Sequence, residues 1–347
     1  MKRVLILLNL GTPDDPGPEA VGRYLREFLM DGRVLDIPWP MRWFLVNCVI
    51  VPKRRYASSE LYRSIWGESA SPLLTHLKDL GDGLRCYLKE HTNERELEVK
   101  IAMRYGSPSI LSVLKEVQTD VGEIIVFPLY PQYAESTTLS SIEECKRVVR
   151  KLDLKMPLKF VPPFYEHRAF VEPTAAKIRE VWRRDQPEHL LMSFHGLPER
   201  HVRRTDLSGG KHCLVKNDCC DEIVAANRNC YRAQCFASAR AIALAAGLAP
   251  HEYSVAFQSR LGRAAWIGPS TESAIAALGK QGVRHLAVTC PSFVSDCLET
   301  LEEIGIRGAE IFRENGGENF IRIDCLNSDP AWVEGAWTLS SKSLATS

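Results

Sequence analysis

His195 stands where a buried strand is expected to end, and its imidazole can titrate near neutral pH. Residues 190–194 are apolar apart from one serine, and Gly196 and Pro198 follow the histidine closely. A short apolar run bounded by Gly and Pro is typical of a buried parallel strand. Ligands of open α/β sheets bind beyond the carboxyl ends of such strands. The position therefore suits a chemical role, and a core or capping histidine would fit the same pattern equally well.

A line of carboxylates follows a second expected strand at 285–289. Asp296, Glu299 and Glu303 have the i, i+3 and i+7 spacing that places side chains on one face of an α-helix. A histidine that opposes such a row can hold a divalent metal transiently or can receive and export protons. The alternative is a solvated acidic face, since acids in a first turn also favour the helix dipole.

Aromatic and basic side chains follow other expected strands. Arg104 and Tyr105 end one strand, Tyr133 lies just after another, and Trp266 follows a third. Together they would line a cleft suited to a flat, apolar ligand that bears carboxylates. Packing in the core is the alternative for each of them.

Strand-like and helix-like runs alternate along the chain, which predicts parallel α/β units. Strands are expected at 4–9, 99–103, 123–127, 159–161, 190–194, 253–257, 285–289 and 320–323. The two halves of the chain have similar patterns. Residues 4–10 are followed by Gly-Thr-Pro, and residues 190–194 are followed by His-Gly-Leu-Pro. We expect two Rossmann-like, doubly wound parallel-sheet domains at 1–165 and 166–325, with a cleft between their strand ends. A cysteine-rich insert is expected at 205–235, and a C-terminal helix and tail at 326–347 that pack back on the first domain.

Composition excludes several classes of protein. The 347 residues carry a formal net charge of +1, which does not suggest nucleic-acid binding. Neither G-x-G-x-x-G after the first strand nor a P-loop motif occurs, so nucleotide binding is disfavoured. The longest apolar stretches fall far short of the ~20 residues of a spanning helix, which favours a cytoplasmic protein. Apolar residues 39–44 and basic residues 53–55 suit either a membrane surface or a buried amphipathic helix.

Eleven cysteines are present, and their odd number in a chain of this size argues against a disulfide framework. Most lie singly in periodic segments, where a buried cysteine is a small hydrophobe. Those between 213 and 235 are clustered in a Gly-, Asn- and Asp-rich segment. Close thiolates suit an iron–sulfur centre or zinc, although no C-x-x-C pair or standard ferredoxin spacing occurs.

The chain resembles ferrochelatase, the family that inserts ferrous iron into a porphyrin at the end of haem synthesis. The resemblance covers about residues 3–337. Its most specific motifs are Phe-His-Gly-Leu-Pro at 194–198 and Val-Ser-Asp-Cys-Leu-Glu-Thr-Leu at 294–301. Further matches occur in order at 9–13, 103–105, 130–133, 258–260 and 266–269.

The resemblance implies roles for these residues. His195 would take pyrrole protons or present iron, Glu299 would pair with it, and Asp296 and Glu303 would continue an acidic relay. Porphyrin contacts are expected from Leu10, Arg104, Tyr105, Tyr133, Trp266 and the apolar lip at 39–44. Cys297 stands where some members carry a second histidine, so an iron route through two histidines is not expected.

Some members of the family carry a [2Fe–2S] cluster, and certain bacterial ones hold it in an internal insert. The segment at 205–235 is its expected counterpart, and the expected ligands are Cys213, Cys219, Cys220 and Cys230, with Cys235 and Cys145 in reserve. Structural zinc and free thiols are the alternatives. For the activity, alternatives are coproporphyrin or another tetrapyrrole as substrate, a porphyrin-binding protein without turnover, and an iron–sulfur sensor on an enzyme scaffold.

Overall fold

Two compact units make up the part of the chain that the computed structural model describes, residues 2–117, 121–260, 262 and 264–345. The first unit is built from Met1–Leu129, Glu135–Pro162 and Asn327–Ser347, and the second from Tyr130–Ala134 and Pro163–Leu326. Each contains a four-stranded parallel sheet with accompanying helices. The predicted α/β class with two Rossmann-like sheets is confirmed.

The first unit begins with the apolar strand β1 (Arg3–Thr12), whose residues Val4–Leu8 are almost completely buried. Its other strands are β2 (Leu97–Gly106), β3 (Glu123–Pro128) and β4 (Leu158–Phe160). Its helices are α1 (Pro18–Leu29), α2 (Trp39–Phe44), α3 (Val51–Ile65), α4 (Pro72–His91), α5 (Ile110–Lys115), α6 (Ser140–Lys151) and α12 (Pro330–Ala345). Two π-helical segments, Leu45–Ile50 and Glu135–Leu139, run directly into α3 and α6.

The second unit has the strands β5 (His189–His195), β6 (Tyr253–Gln258), β7 (His285–Thr289) and β8 (Asn319–Arg322). Its helices are α7 (Arg168–Asp185), α8 (Glu199–Arg204), α9 (Tyr231–Ala246), α10 (Thr271–Lys280) and α11 (Ala309–Glu314). A π-helical segment, Glu299–Gly308, runs into α11. Between α8 and α9 lies a stretch of turns that holds four of the clustered cysteines.

The two sheets have equivalent strand orders, β2-β1-β3-β4 and β6-β5-β7-β8. The central strands β1 and β5 therefore correspond, as do β3 and β7. All these pairs are parallel, so the carboxyl ends of β5, β6 and β7 meet at one edge of the second sheet. This edge positions His195 and the loop after β7.

Local structure repeats after the edge strands β2 and β6. The Met103 N–H donates to the Pro108 carbonyl at 2.7 Å, and the Phe257 N–H donates to the Pro269 carbonyl at 2.9 Å. In each case the next residue is a serine, Ser109 or Ser270, whose hydroxyl caps the following helix. The central strands also share a pattern, because Leu-Gly-Thr-Pro ends β1 and His-Gly-Leu-Pro ends β5.

Helix α12 packs against α4 and β3. Trp332 is fully buried there, with its ring centroid 6.3 Å from that of Phe127. Burial of this large apolar surface fixes the C-terminal helix on the first unit. Across the described ranges, no helix is both long enough and apolar enough to cross a membrane.

Candidate active site

His195 is the last residue of β5 and is half-buried. Its backbone N–H donates to the Ser292 Oγ at 2.9 Å, and its Nδ1 lies 2.6 Å from the Gly196 carbonyl oxygen. A carbonyl only accepts, so Nδ1 carries the proton in the neutral ring. The Nε2 atom is then left with its lone pair, which is the arrangement that a proton acceptor or a metal ligand needs.

Trp266 lies against the backbone next to this histidine. A Cβ atom on Gly196 would come within 2.8 Å of the Gln258 carbonyl oxygen and within 3.2 Å of the Trp266 ring. Only glycine permits this close approach. Pro198 and Trp266 also form an isolated antiparallel bridge, which holds the tryptophan beside the His-Gly-Leu-Pro turn.

Gln258 ends β6 directly opposite His195 and is almost completely buried. Its Oε1 accepts from the Ser193 hydroxyl at 2.7 Å, and its Nε2 donates to the Glu299 carbonyl at 2.9 Å. The amide thus connects two strands to the start of the π-helical segment. Gln258 and Ser292 were assigned no role from the sequence, although both lie at the carboxyl ends of predicted strands, the signal that singled out His195.

Glu299 is half-buried and begins the π-helical segment Glu299–Gly308. Its carboxylate interacts with the thiol of Cys297, two residues earlier. Burial, together with the Glu299 charge, raises the pKa of Cys297. This thiol therefore stays neutral at physiological pH and can donate to the carboxylate.

Glu303 is bound by the loop after β6. Its two carboxylate oxygens accept from the Ser259 N–H at 2.8 Å and the Ser259 hydroxyl at 2.6 Å. Ser259 has a φ of +68°, a left-handed conformation that is uncommon for residues other than glycine. The two hydrogen bonds help to hold the serine in this conformation.

Asp296 is buried and precedes the π-helical segment. It accepts from Arg322 at 2.7 Å, from the Thr300 hydroxyl at 2.8 Å and from the Cys325 N–H at 3.2 Å. The prediction that the three acids share one face of an α-helix is wrong. Asp296 lies outside the helix, and the i→i+5 bonding of the π-helical turns changes the spacing between Glu299 and Glu303.

The predicted contacts Arg104 and Tyr105 belong to the first unit and share Asp31 as a partner. Arg104 Nη2 and the Tyr105 hydroxyl donate to the Asp31 Oδ2 at 2.7 and 2.8 Å. The guanidinium carbon lies 4.4 Å from the centre of the Tyr105 ring, which is fully buried. Burial alone would raise the pKa of Asp31, but bonds from Ser140, Arg33 and Tyr105 and the Arg104 charge hold it below its usual value.

The remaining predicted contacts lie at strand ends or in a short loop. Leu10 is half-buried in β1, and its N–H donates to the Asn9 side chain at 2.8 Å. Tyr133 is half-buried in the stretch Tyr130–Ala134, which belongs to the second unit. Its N–H donates to the Gln234 side chain at 2.7 Å. Their part in binding a ligand stays a prediction.

The four expected cluster ligands are buried together in the second unit, between α8 and α9. The Cys219 and Cys220 sulfurs are 3.7 Å apart, and the Cys230 thiol interacts with those of Cys213 and Cys220. Burial raises the pKa of Cys213 to about 11. The reserve candidate Cys145 lies instead in the apolar core of the first unit, near Val126 and Val148.

Two polar side chains, Asp206 and Asn227, brace this cysteine segment with hydrogen bonds to its backbone. The buried Asp206 carboxylate accepts from the backbone N–H groups of His212 and Cys213 at 2.9 and 2.8 Å. The Asn227 amide donates to the carbonyls of Cys219 and Glu222, each at 2.8 Å. Within the described ranges, no group of three or more His, Cys, Asp or Glu side chains is arranged so that it could hold a metal ion.

The sequence model of the ferrochelatase family matches residues 2–344. The chain belongs to the ferrochelatase family. A ferrochelatase from Bdellovibrio bacteriovorus is 44% identical over 335 residues, which are 96% of this chain and 97% of that protein. One from Pseudomonas fluorescens SBW25 is 45% identical over 340 residues, 97% of each chain. Members of this family are lyases that insert iron into a porphyrin in the last step of haem synthesis, as the resemblance implied.

Solved structures support the fold. A chelatase-like multi-domain protein from Deinococcus radiodurans matches with a TM-score of 0.53 and 12% identity, over 99% of this chain and 55% of that chain. The protein SirB from Bacillus subtilis, solved with Fe3+, matches with a TM-score of 0.51 and 12% identity, over 100% and 98%. At 12% identity these matches show a shared fold and say nothing about the substrate of this chain.

The environment of Asp296 predicts the effect of removing its charge. Asp296→Ala should lower the free energy of unfolding by about 3 kcal/mol, because Asp296 is buried and its removal takes the acceptor from half-buried Arg322, the Thr300 hydroxyl and the Cys325 N–H. Urea denaturation followed by circular dichroism measures this.

Asp324→Ala is the matched control, since Asp324 binds the same arginine but its side chain is 62% exposed. It should cost about 1 kcal/mol or less. Equal losses for the two variants would contradict the anchoring role of Asp296.

Proposed function

We propose that this chain inserts ferrous iron into protoporphyrin IX and releases two protons. The observation that carries the proposal is the His195 ring, whose Nδ1 is bound to the Gly196 carbonyl so that Nε2 presents a lone pair at a strand end. A free porphyrin must lose two pyrrole N–H protons as iron enters. A fixed, unprotonated nitrogen can accept such a proton or bind the incoming ferrous iron, which is the second substrate.

In the proposal, the acidic residues after β7 carry away the pyrrole proton that His195 accepts. In this proposal Glu299 acts with His195, and the pairing is supported by Gln258, which lies opposite His195 and also binds the Glu299 backbone carbonyl. Asp296 and Glu303 are the next members of the proposed acidic relay. Arg322 fixes Asp296, and Ser259 fixes Glu303. Leu10, Arg104, Tyr133 and Trp266 are the proposed porphyrin contacts. Tyr105 is fully buried, so its proposed part is indirect, through Arg104, which lies over its ring.

Replacing His195 tests the proposal. In an anaerobic assay with ferrous iron, His195→Ala should lower kcat at least about 100-fold, since the loss of a proton acceptor typically costs this much. Porphyrin binding, followed by fluorescence, should persist. Glu299→Gln should also lose most of its activity.

His251→Ala is the control, because His251 is exposed and lies on a turn of the same unit. Wild-type protein that binds porphyrin without turnover would refute the enzyme proposal in favour of a binding protein. Faster turnover of coproporphyrin than of protoporphyrin would instead refute the proposed substrate.

We further propose that Cys213, Cys219, Cys220 and Cys230 hold a [2Fe–2S] cluster. Two thiolates at about 2.3 Å from one tetrahedral metal stand about 3.8 Å apart, and the Cys219 and Cys220 sulfurs are 3.7 Å apart. Cys230 interacts with both Cys213 and Cys220, so the four thiols adjoin one another. Four thiolates, two at each iron, are what a two-iron cluster takes.

The surroundings of the thiols favour a negatively charged centre. Arg232 donates to the Cys220 Sγ at 3.0 Å, and its charge would offset that of the thiolates. When bound, the cluster supplies one-electron redox chemistry.

The spectrum of anaerobically purified protein tests the cluster. We expect broad sulfide-to-iron bands, which single Cys→Ser variants at 213, 219, 220 and 230 should abolish or weaken. Cys86→Ser, at an exposed site on α4, should leave them unchanged. Zinc in place of iron, or thiols that react freely with no metal present, would contradict the proposal.

We also propose a peripheral contact between this cytoplasmic chain and an anionic membrane. Trp39, Met41 and Phe44 are about 60% exposed on α2, and the exposed cations Lys53 and Arg54 lie near the start of α3. Exposed apolar side chains beside cations favour an anionic lipid surface.

Co-sedimentation with phosphatidylserine-containing liposomes measures this contact. The protein should bind these liposomes more than neutral ones, and Trp39→Ser/Phe44→Ser should release it. Lys53→Ser/Arg54→Ser/Arg55→Ser should weaken binding mainly at low salt. Binding that is equal for the wild type and both variants would argue against it.

A further inference from the structure

Two protein side chains already bind one edge of the Arg104 guanidinium, the charged group among the proposed porphyrin contacts. The Arg104 Nη2 donates to the Asp31 Oδ2 at 2.7 Å, and the Arg104 Nε donates to the Ser140 Oγ at 2.8 Å. These two acceptors are bonded to each other, since the Ser140 hydroxyl donates to the same Asp31 oxygen. The Nε–Nη2 edge, which could otherwise bind a ligand carboxylate through two parallel hydrogen bonds, is therefore filled.

Both oxygens of Asp31 are used, which fixes the carboxylate in place. Its Oδ2 also accepts from the Tyr105 hydroxyl at 2.8 Å, and its Oδ1 accepts from the Arg33 N–H at 2.7 Å. An asparagine at this position could not satisfy both sides, because its amide nitrogen would face a donor at one of them. The side chains of Asp31 and Arg104 are only 10% and 15% exposed, so salt screens their charges weakly.

The charge of Arg104 is offset at the carboxyl end of β2. Asp31 neutralises the guanidinium directly, and Arg33 contributes its backbone N–H to this cluster. A second carboxylate lies at the same strand end, since the Glu27 Oε2 accepts from the Gly106 N–H at 3.0 Å. A ligand carboxylate that approached Arg104 would also approach Asp31, and the two like charges would repel each other.

Porphyrins differ in where they carry carboxylates, so a neutralised arginine can distinguish between them. Protoporphyrin IX has two, on adjacent pyrrole rings, and can turn its uncharged, vinyl-bearing rings toward a given point of a binding site. Coproporphyrin III has one on each of its four rings, so no rotation within the ring plane removes carboxylates from that point. Repulsion at Arg104 would therefore act on coproporphyrin in every orientation and could be avoided by protoporphyrin.

We propose that Asp31 is a specificity-determining residue that disfavours porphyrins with a carboxylate at the position of Arg104. It acts by neutralising Arg104 and by holding the guanidinium over the Tyr105 ring, 4.4 Å from the ring centre. The arginine then offers a planar, neutralised group to the uncharged edge of the porphyrin. Selection comes from repulsion of the wrong substrate. The inference rests on the proposed contact between Arg104 and the porphyrin.

Binding of iron-free porphyrins to the full-length protein tests this role without turnover. Fluorescence titration gives the dissociation constants of protoporphyrin IX and coproporphyrin III, and their ratio is compared between variants. Asp31→Asn should tighten coproporphyrin binding about tenfold and change protoporphyrin binding by about twofold or less, since it removes the repulsion that only coproporphyrin meets. Arg104→Gln leaves the Asp31 charge unpaired, so it should weaken the binding of coproporphyrin more than that of protoporphyrin.

The double variant Asp31→Asn/Arg104→Gln separates the effect of charge from that of structural damage. It restores a neutral pair, so its ratio should return to that of the wild type, although the single changes move the ratio in opposite directions. Structural damage would instead accumulate and weaken both porphyrins together. Asp82→Asn is the matched control, because Asp82 also pairs with an arginine, Arg85, but its side chain is 72% exposed on α4. This variant should keep the wild-type ratio.

The outcomes distinguish this role from the proposed function. A ratio that Asp31→Asn leaves unchanged, or a double variant that binds both porphyrins more weakly than either single variant, would overturn the role of Asp31. A wild type that shows the expected shifts but inserts no iron would refute the proposed function alone. A wild type that binds neither porphyrin would refute both.

Discussion

The buried side-chain amide of Gln258 is the interaction on which the geometry of the second unit's edge depends. Its oxygen accepts from Ser193 on β5, and its nitrogen donates to the carbonyl of Glu299. A buried amide must satisfy its hydrogen bonds, because each unmet one costs the full desolvation of that atom. The strand ends and the start of the π-helical segment are therefore fixed relative to each other. The backbone positions of His195 and Glu299 are fixed by the same bonds.

The acids near His195 have distinct surroundings despite their regular spacing in the sequence. Asp296 is bound to an arginine, a hydroxyl and a backbone N–H, and Glu303 is bound twice by Ser259. Glu299 is half-buried and interacts with the neutral thiol of Cys297. Carboxylates with different partners differ in how readily they exchange a proton. Asp296 and Glu303 thus anchor the chain around the start of the π-helical segment, whereas Glu299 is freer to exchange a proton.

The strands and the position of His195 could be predicted from the sequence, because apolar runs and their Gly and Pro boundaries are local signals. The hydrogen-bond partners of the site residues could not be predicted in the same way. Ser292 lies 97 residues from His195, and Gln258 lies 65 residues from Ser193, so only the folded sheet brings each pair together. The π-helical turns were mistaken for an α-helix, since the composition of 299–308 suits either. Asp296 was also placed on that helix. Its actual partner, Arg322, lies on β8, 26 residues further along the chain, so nothing in the sequence indicated the contact.

The repeated structure at the strand ends also bears on how much the sequence can vary there. Equivalent strand orders, equivalent proline carbonyl contacts and equivalent serine caps recur in both units. Leu10 in one unit then occupies the place of His195 in the other. The same backbone framework therefore accepts either an apolar residue or a histidine at the end of its central strand, so a chemical group can be exchanged at this position without a new fold.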